Sequence, residues 1–149
     1  SVQYVNKESA RSSGVEFEAE SRWTSGLLVR GSLAIQRGIA ADSGTRLSNA
    51  PSELGTVHVA APFWRSQLVL ASESLFTARR TTVGGDMLPS FWLTNLTVTY
   101  RPVRMPLTVG ASLYNALDAR YADPVGVEFR QSAIPQNGRT AALRVTVKF

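Results

Sequence analysis

Apolar and polar residues alternate at every second position along most of the chain, which is the period of a β-strand and not of a helix. The last segment shows it most simply. Ala141, Leu143, Val145, Val147 and Phe149 alternate with Ala142, Arg144, Thr146 and Lys148. Upstream, Val15, Phe17, Ala19, Ser21 and Trp23 alternate with Glu16, Glu18, Glu20 and Arg22. The same rhythm runs through Leu27–Ile35, Gly55–Phe63, Leu68–Phe76, Trp92–Tyr100 and Leu107–Asn115, so seven strands are predicted. Ser1–Asn6 fits the tail of an eighth. In each run the five positions of the apolar set carry no charge. The intervening four hold Glu16, Glu18, Glu20, Arg22, Arg30, Glu73, Arg144 and Lys148 between them. One face of the predicted sheet excludes charge and the other accepts it.

The connections alternate as well. Trp23 reaches Leu27 through Thr24–Gly26, Phe63 reaches Leu68 through Trp64–Gln67, and Tyr100 reaches Leu107 through Arg101–Pro106. Between these short links lie long ones, Gln36–Leu54, Thr77–Phe91 and Ala116–Thr140. In an up-and-down antiparallel sheet this collects the short turns at one end and the long loops at the other. Outer-membrane barrels segregate loops in this way. Aromatic residues follow the same division. Trp23, Phe63, Trp64, Tyr100 and Phe149 fall at the short-turn end, and Phe76, Phe91 and Trp92 at the long-loop end. Two such bands match the aromatic girdles at the two surfaces of a bilayer. Runs of about nine to eleven residues suffice for a tilted strand to cross it. The expectation is an all-β, antiparallel, up-and-down transmembrane barrel, apolar face to lipid and charged face to water. A soluble barrel would reverse the faces, and a soluble β-sandwich would have no reason to sort its loops.

Composition narrows the function. The 149 residues contain no cysteine and one histidine, His58. Thiolate metal sites and cysteine nucleophiles are excluded, and a Ser-His-Asp relay has a single possible base, so no catalytic residue is assigned. The pI near 10.2 comes from scattered basic residues without a run, which gives no nucleic-acid patch. Glu16, Glu18 and Glu20 lie on one strand face but climb about 7 Å per step at ~3.4 Å per residue, too far apart to share one ion. They are expected to pair with Arg22 or Arg30 in a wet lumen. No cofactor or metal is expected. The chain begins at Ser1 without a signal sequence, which suggests a processed or excised piece.

Several segments together resemble the C-terminal part of the barrel of TonB-dependent outer-membrane receptors. Asn6 followed by Ser13-Gly14-Val15-Glu16 is similar to that family's strand start, and Leu47-Ser48-Asn49-Ala50-Pro51 to its L-x-N-x-P loop. Arg79-Arg80-Thr81 lies where the family often has an arginine. Leu93–Tyr100 resembles an L-x-N strand ending in tyrosine. Asn115-Ala116-Leu117-Asp118 with Tyr121 resembles N-L-F-D-x-x-Y, although Ala116 departs from the commoner leucine. Ile134–Arg139 resembles the Q-x-G-R that precedes the last strand. Physically these are turn and strand-end residues: glycines that admit unusual backbone, Asn115 and Asp118 that bond nearby backbone, and prolines kept out of ladders.

The resemblance implies a bacterial outer-membrane transport receptor and not an enzyme. In that family a barrel of about 22 strands encloses an N-terminal plug, and external loops capture a scarce substrate such as an iron–siderophore complex. The TonB system then acts on the plug. Residues 1–149 would be the C-terminal seven to eight strands of that barrel, with the plug domain absent. Phe149, with Val147 and Val145, resembles the terminal signature read by the barrel-assembly machinery. The loops Arg37–Glu53, Thr77–Ser90 and Asp118–Arg139 would face outward, and Arg79, Arg80, Tyr121, Arg130 and Arg139 are the candidates for a small anionic or aromatic ligand. Pairing with Asp86, Asp118, Asp123 and Glu128 is the competing use of those side chains. The other reading of the chain is a complete eight-stranded outer-membrane barrel with a structural or adhesion role.

Overall fold

The computed structural model describes residues 9–149. Seven strands, each of eight or more residues, form one antiparallel sheet. They are β1 (Ala10–Arg22), β2 (Leu28–Ala40), β3 (Glu53–Phe63), β4 (Leu68–Thr77), β7 (Phe91–Tyr100), β8 (Leu107–Tyr114) and β11 (Thr140–Val147). Four short strands build two ribbons at the long-loop end: β5 (Arg80–Thr81) with β6 (Met87–Leu88), and β9 (Ala122–Pro124) with β10 (Ala133–Pro135). The large sheet runs β1-β2-β3-β4-β7-β8-β11, a plain meander in chain order, as the alternation of links requires. The Ser1–Asn6 strand expectation lies outside the described residues.

The register keeps one alternation across the whole sheet. Val15 pairs with Ile35 and Phe17 with Leu33. Val29 pairs with Val59, Leu70 with Val98, and Val109 with Val145. One residue over, Glu20 pairs with Arg30, His58 with Glu73, and Glu73 with Asn95. Because side chains alternate strictly, a slip of one residue anywhere would mix the faces. None occurs.

Both faces of the sheet are open, and nothing among the described residues covers the apolar one. On strands with neighbours on both sides, Leu33 is 42% exposed, Val98 41% and Trp92 54%. On the inner face Arg30, Thr56 and Glu73 are exposed, and Ser32, Leu93 and Thr97 are half-buried. Ala78 is the one buried hydrophobic residue among the described residues. A water-soluble sandwich needs a packed apolar layer between two sheets. This single-layer sheet instead offers its apolar side to the surroundings, which is stable only where those surroundings are lipid.

Three details depart from the alternation pattern. β1 and β2 extend together to Ala10 and Ala40, so Arg37–Ala40 belong to a strand and not to a loop. Phe91 pairs with Thr77 on the inner face. Trp92 and Phe76 therefore make the outer aromatic pair, 4.9 Å between ring centroids, without Phe91. Gly14 sits inside β1 and not at its start; a Cβ there would lie 2.6 Å from the Ile35 carbonyl oxygen.

At the short-turn end, the Thr24–Gly26 link closes with hydrogen bonds from Trp23 N to Leu27 O and from Gly26 N to Trp23 O, both 2.9 Å. Trp64, Arg65 and Ser66 turn the chain with three successive positive φ values of 47, 54 and 66°. Lys148 N donates to Pro106 O, which extends the last ladder towards Phe149. β1 and β11 do not pair with each other, and both are exposed along their length. The described strands form a wall section and not a closed eight-stranded barrel.

Candidate functional site

Polar side chains gather in two places: across the inner face of the sheet, and where the long loops meet. On the inner face, Arg30 lies between the β1 carboxylates. Its Nε donates to Glu20 Oε2 at 2.7 Å, its Nη2 also meets Glu20, and Glu18 stands 3.8 Å away. Arg22 reaches Glu20 at 3.3 Å. Two of the three β1 glutamates, Glu18 and Glu20, thus serve an ion-pair network, and no metal-holding group of His, Cys, Asp or Glu occurs among the described residues. Farther round, the Ser32 and Thr56 hydroxyls bond at 2.7 Å and those of Thr97 and Ser112 at 3.1 Å. Asn95 Nδ2 donates to Glu73 at 3.2 Å. Cross-strand polar ties of this kind suit a face in contact with water.

At the long-loop end the organising residue is Arg80, 8% exposed. Its Nη2 is 2.8 Å from Asp123 Oδ1 and donates to the Ala122 carbonyl at 2.9 Å, while Nη1 reaches Asn49 Oδ1 at 3.4 Å. The guanidinium also lies 5.2 Å from the Phe91 ring centroid, within cation–π range. Phe91 in turn stacks on Tyr121 at 4.5 Å. Asn49, at φ 53°, donates its backbone N–H to Thr81 O. One arginine therefore joins the segment after β2, the ribbon after β4 and the ribbon after β8. A planar fork of five donors can satisfy that many acceptors at once.

Asn115 anchors the third loop. It is buried, with φ 48°. Its Oδ1 accepts from Ala119 N at 2.8 Å and its Nδ2 donates to Ala119 O at 2.9 Å and Asn137 O at 3.4 Å. Its own N–H donates to Asn95 Oδ1 at 3.0 Å, ending the β7–β8 ladder on a side chain. Asp118, also at positive φ, accepts from Arg139 N at 3.0 Å. A Cβ on Gly138 would come within 2.9 Å of the same carboxylate, so a glycine lets the last loop pass.

The five candidate ligand residues separate. Arg80 and Tyr121 are engaged in the loop junction. Arg79, Arg130 and Arg139 are exposed, and none of the three forms an ion pair among the described residues. The competing use as an internal pair holds for Arg80 with Asp123. Phe91 and Asn49 join this junction through Arg80, contacts that the pattern of the chain did not show.

Residues 1–116 match the TonB dependent receptor-like, beta-barrel family. The chain belongs to the TonB-dependent receptor β-barrel family. Its home is accordingly the bacterial outer membrane, and the family is one of transport receptors. Solved structures agree on the fold. The ferric-catecholate import receptor Fiu from Escherichia coli K12 superposes with a TM-score of 0.80 at 17% identity, over 95% of this chain and 21% of that one. The ferripyoverdine receptor of Pseudomonas aeruginosa gives 0.75 at 18% identity, over 91% and 19%. The copper transporter OprC gives 0.75 at 20% identity, over 94% and 24%. The chain thus spans about a fifth to a quarter of the length of these neighbours. No curated protein sequence matches it.

Proposed function

We propose that this chain is the C-terminal part of the barrel wall of an active-transport receptor that takes up a scarce substrate such as an iron–siderophore complex, driven by the TonB system through a plug outside the chain. The observation that carries the proposal is the two-faced open sheet: apolar outside, hydrogen-bonded polar inside, with the outer edges of β1 and β11 unpaired among the described residues. Unpaired edges demand neighbours, so the wall continues on either side in the intact receptor. The contacts of Arg80 and Asn115 tie the long loops together on the side facing the cell exterior, and in the last loop Arg130 and Arg139, without an ion pair among the described residues, offer guanidinium groups to an anionic ligand. The neighbours' printed roles, ferric-catecholate import, ferripyoverdine binding and copper transport, favour a metal chelate or metal ion as cargo.

The test uses a strain carrying the intact receptor, its deletion, and a strain lacking TonB. Under iron limitation, growth on at least one ferric chelate should require both the receptor and TonB. Equal growth of all three strains on every iron chelate, together with unchanged copper uptake, would contradict the proposal. A related expectation concerns assembly. Phe149 extends past β11, fully exposed at the short-turn end, with Val147 and Val145 on the lipid side behind it. Deleting Phe149 should lower the amount of assembled receptor several-fold while its synthesis is unchanged, as read by quantitative blots of outer membranes.

A further inference from the structure

The inner face treats its cations in two ways. On β1 and β2, Arg22 and Arg30 are met by glutamates of β1. Around β7, β8 and β11, the cations Arg101, Arg144 and Lys148 are exposed, and none forms an ion pair among the described residues. No Asp or Glu occurs in residues 87–117 or 129–149, which hold those three strands and the turn between β7 and β8. Arg65 and Arg104, exposed on the short turns, add to the positive charge of the same end.

The three inner cations share one hollow. Arg144 pairs with Gly110, Gly110 with Thr99, and Thr146 with Thr108, all on the inner face. Lys148 stays in phase with Arg144 because its N–H continues the ladder to Pro106 O. Arg101, two residues past Thr99, is held by its own N–H to Gln67 O at 2.7 Å. Together with Thr99, Thr108 and Thr146 they line a hollow of about 590 Å³. Gly110 keeps its floor low, since a Cβ there would meet only Val98 O, at 3.9 Å. Farther along the wall the hydroxyls pair with each other, Ser32 with Thr56 and Thr97 with Ser112. Those of Thr99, Thr108 and Thr146 make no hydrogen bond among the described residues. Cations gathered without a counter-charge repel one another and raise the local potential. A wall that needed only water-compatible side chains could alternate signs, as β1 and β2 do.

We propose that Arg101, Arg144 and Lys148, with the hydroxyls of Thr99, Thr108 and Thr146, form a binding site for a small multivalent oxyanion on the lumen wall at the short-turn end. Each guanidinium presents a planar fork that takes two oxygens of a phosphate or carboxylate. The Lys148 ammonium adds a compact charge, and the hydroxyls can donate to the remaining oxygens. An anion with several charged oxygens can engage all three cations at once, which a single carboxylate cannot. The site is separated from Arg130 and Arg139 by the length of β11, so it is a second site and not an extension of the loops. Its place on the way out of the lumen rests on the transport reading; the binding does not.

The experiment footprints the intact receptor with phenylglyoxal, which modifies accessible arginines, and reads each site by peptide mass spectrometry. The probes are inorganic pyrophosphate and citrate, with acetate at matched ionic strength as the monovalent control. Pyrophosphate or citrate should slow modification of Arg101 and Arg144 about tenfold when present at about ten times its dissociation constant, and the stronger of the two names the acid group preferred. Arg65 and Arg104 should react at unchanged rates. Gly110→Val fills the hollow while keeping every charge and suits a strand; it should weaken the protection roughly tenfold. Arg65→Gln/Arg104→Gln removes two charges from the same end and should leave affinity within about twofold, since salt screens charges that do not line the hollow. Unchanged rates at Arg101 and Arg144 with both probes would overturn the site. So would equal protection by acetate, equal slowing at Arg65 and Arg104, or full protection in Gly110→Val. Arg101 and Arg144 that fail to react before any probe is added would also overturn it, and would assign the hollow to a carboxylate segment elsewhere in the receptor. None of these readouts needs transport, so they stand apart from the growth test of TonB-driven uptake.

Discussion

The sheet and the loop junction are built on opposite rules. In the seven-stranded wall, side chains as large as Phe17, Leu33 and Trp92 are exposed, and order comes from backbone ladders in one continuous register. At the loop end the buried residues include Arg80, Thr82 and Asn115, all polar, each tied to backbone or to a charge. The wall relies on lipid to receive its apolar side, so it needs no core. The loops stand in water, where a few residues cannot bury enough apolar surface, so polar ties hold them in place of a core. The same chain thus uses hydrophobic side chains outward and charged side chains inward, according to the solvent each region meets.

The difference can be broken first in the wall. Val98→Arg puts a cation on the lipid side in mid-strand and should cost about 2–4 kcal/mol, while Thr97→Arg, one residue earlier, should cost about 0–1 kcal/mol. Denaturant unfolding of the intact receptor refolded into vesicles reads both. Equal costs would mean that the two faces meet the same solvent. Next comes the junction. Asn115→Ala removes three side-chain hydrogen bonds and leaves half-buried backbone groups of Ala119 without those partners, a loss of about 1–3 kcal/mol. It should appear as faster hydrogen exchange confined to the third loop, with the wall's protection unchanged. Loss of protection across β7 and β8 would show that the loop and wall are one cooperative unit. The smallest effect is expected at Arg130, exposed and without an ion pair among the described residues. Arg130→Gln should stay within about 0.5 kcal/mol, and any change should be in ligand affinity.

Most of the wall was legible because its physics is periodic. The faces of all seven runs, from Val15 to Val147, follow from one residue in two being apolar, and the paired register agrees at each. The limits of legibility have causes. Arg11–Gly14 and Arg37–Ala40 lose the alternation while the ladder continues, since beyond the hydrocarbon a backbone pair needs no apolar side chain. Phe91 and Trp92 are adjacent, so only one can face lipid, and the inward one became the platform for Tyr121. Two-residue strands such as Arg80–Thr81 are too short to show any period. The junction was illegible for a different reason. Arg80 meets Asn49 and Ala122 across 31 and 42 residues of chain, contacts set by strand order and not by local pattern. The family resemblance marked Asn49, Arg80, Asn115 and Asp118 in separate segments, and only the geometry shows three loops joined through one guanidinium.

The central claim is that the apolar face meets lipid and the polar face meets water. These 149 residues contain no cysteine, so single cysteines placed among them report their own positions once any cysteine elsewhere in the receptor is replaced by serine. Leu33→Cys and Val98→Cys on one face, and Ser32→Cys and Thr97→Cys on the other, can each carry a fluorophore in the intact receptor reconstituted into bilayers. Lipids with brominated tails should quench the labels at Leu33 and Val98 and leave those at Ser32 and Thr97 unaffected. Quenching of the Ser32 and Thr97 labels instead, or of all four alike, would contradict the account.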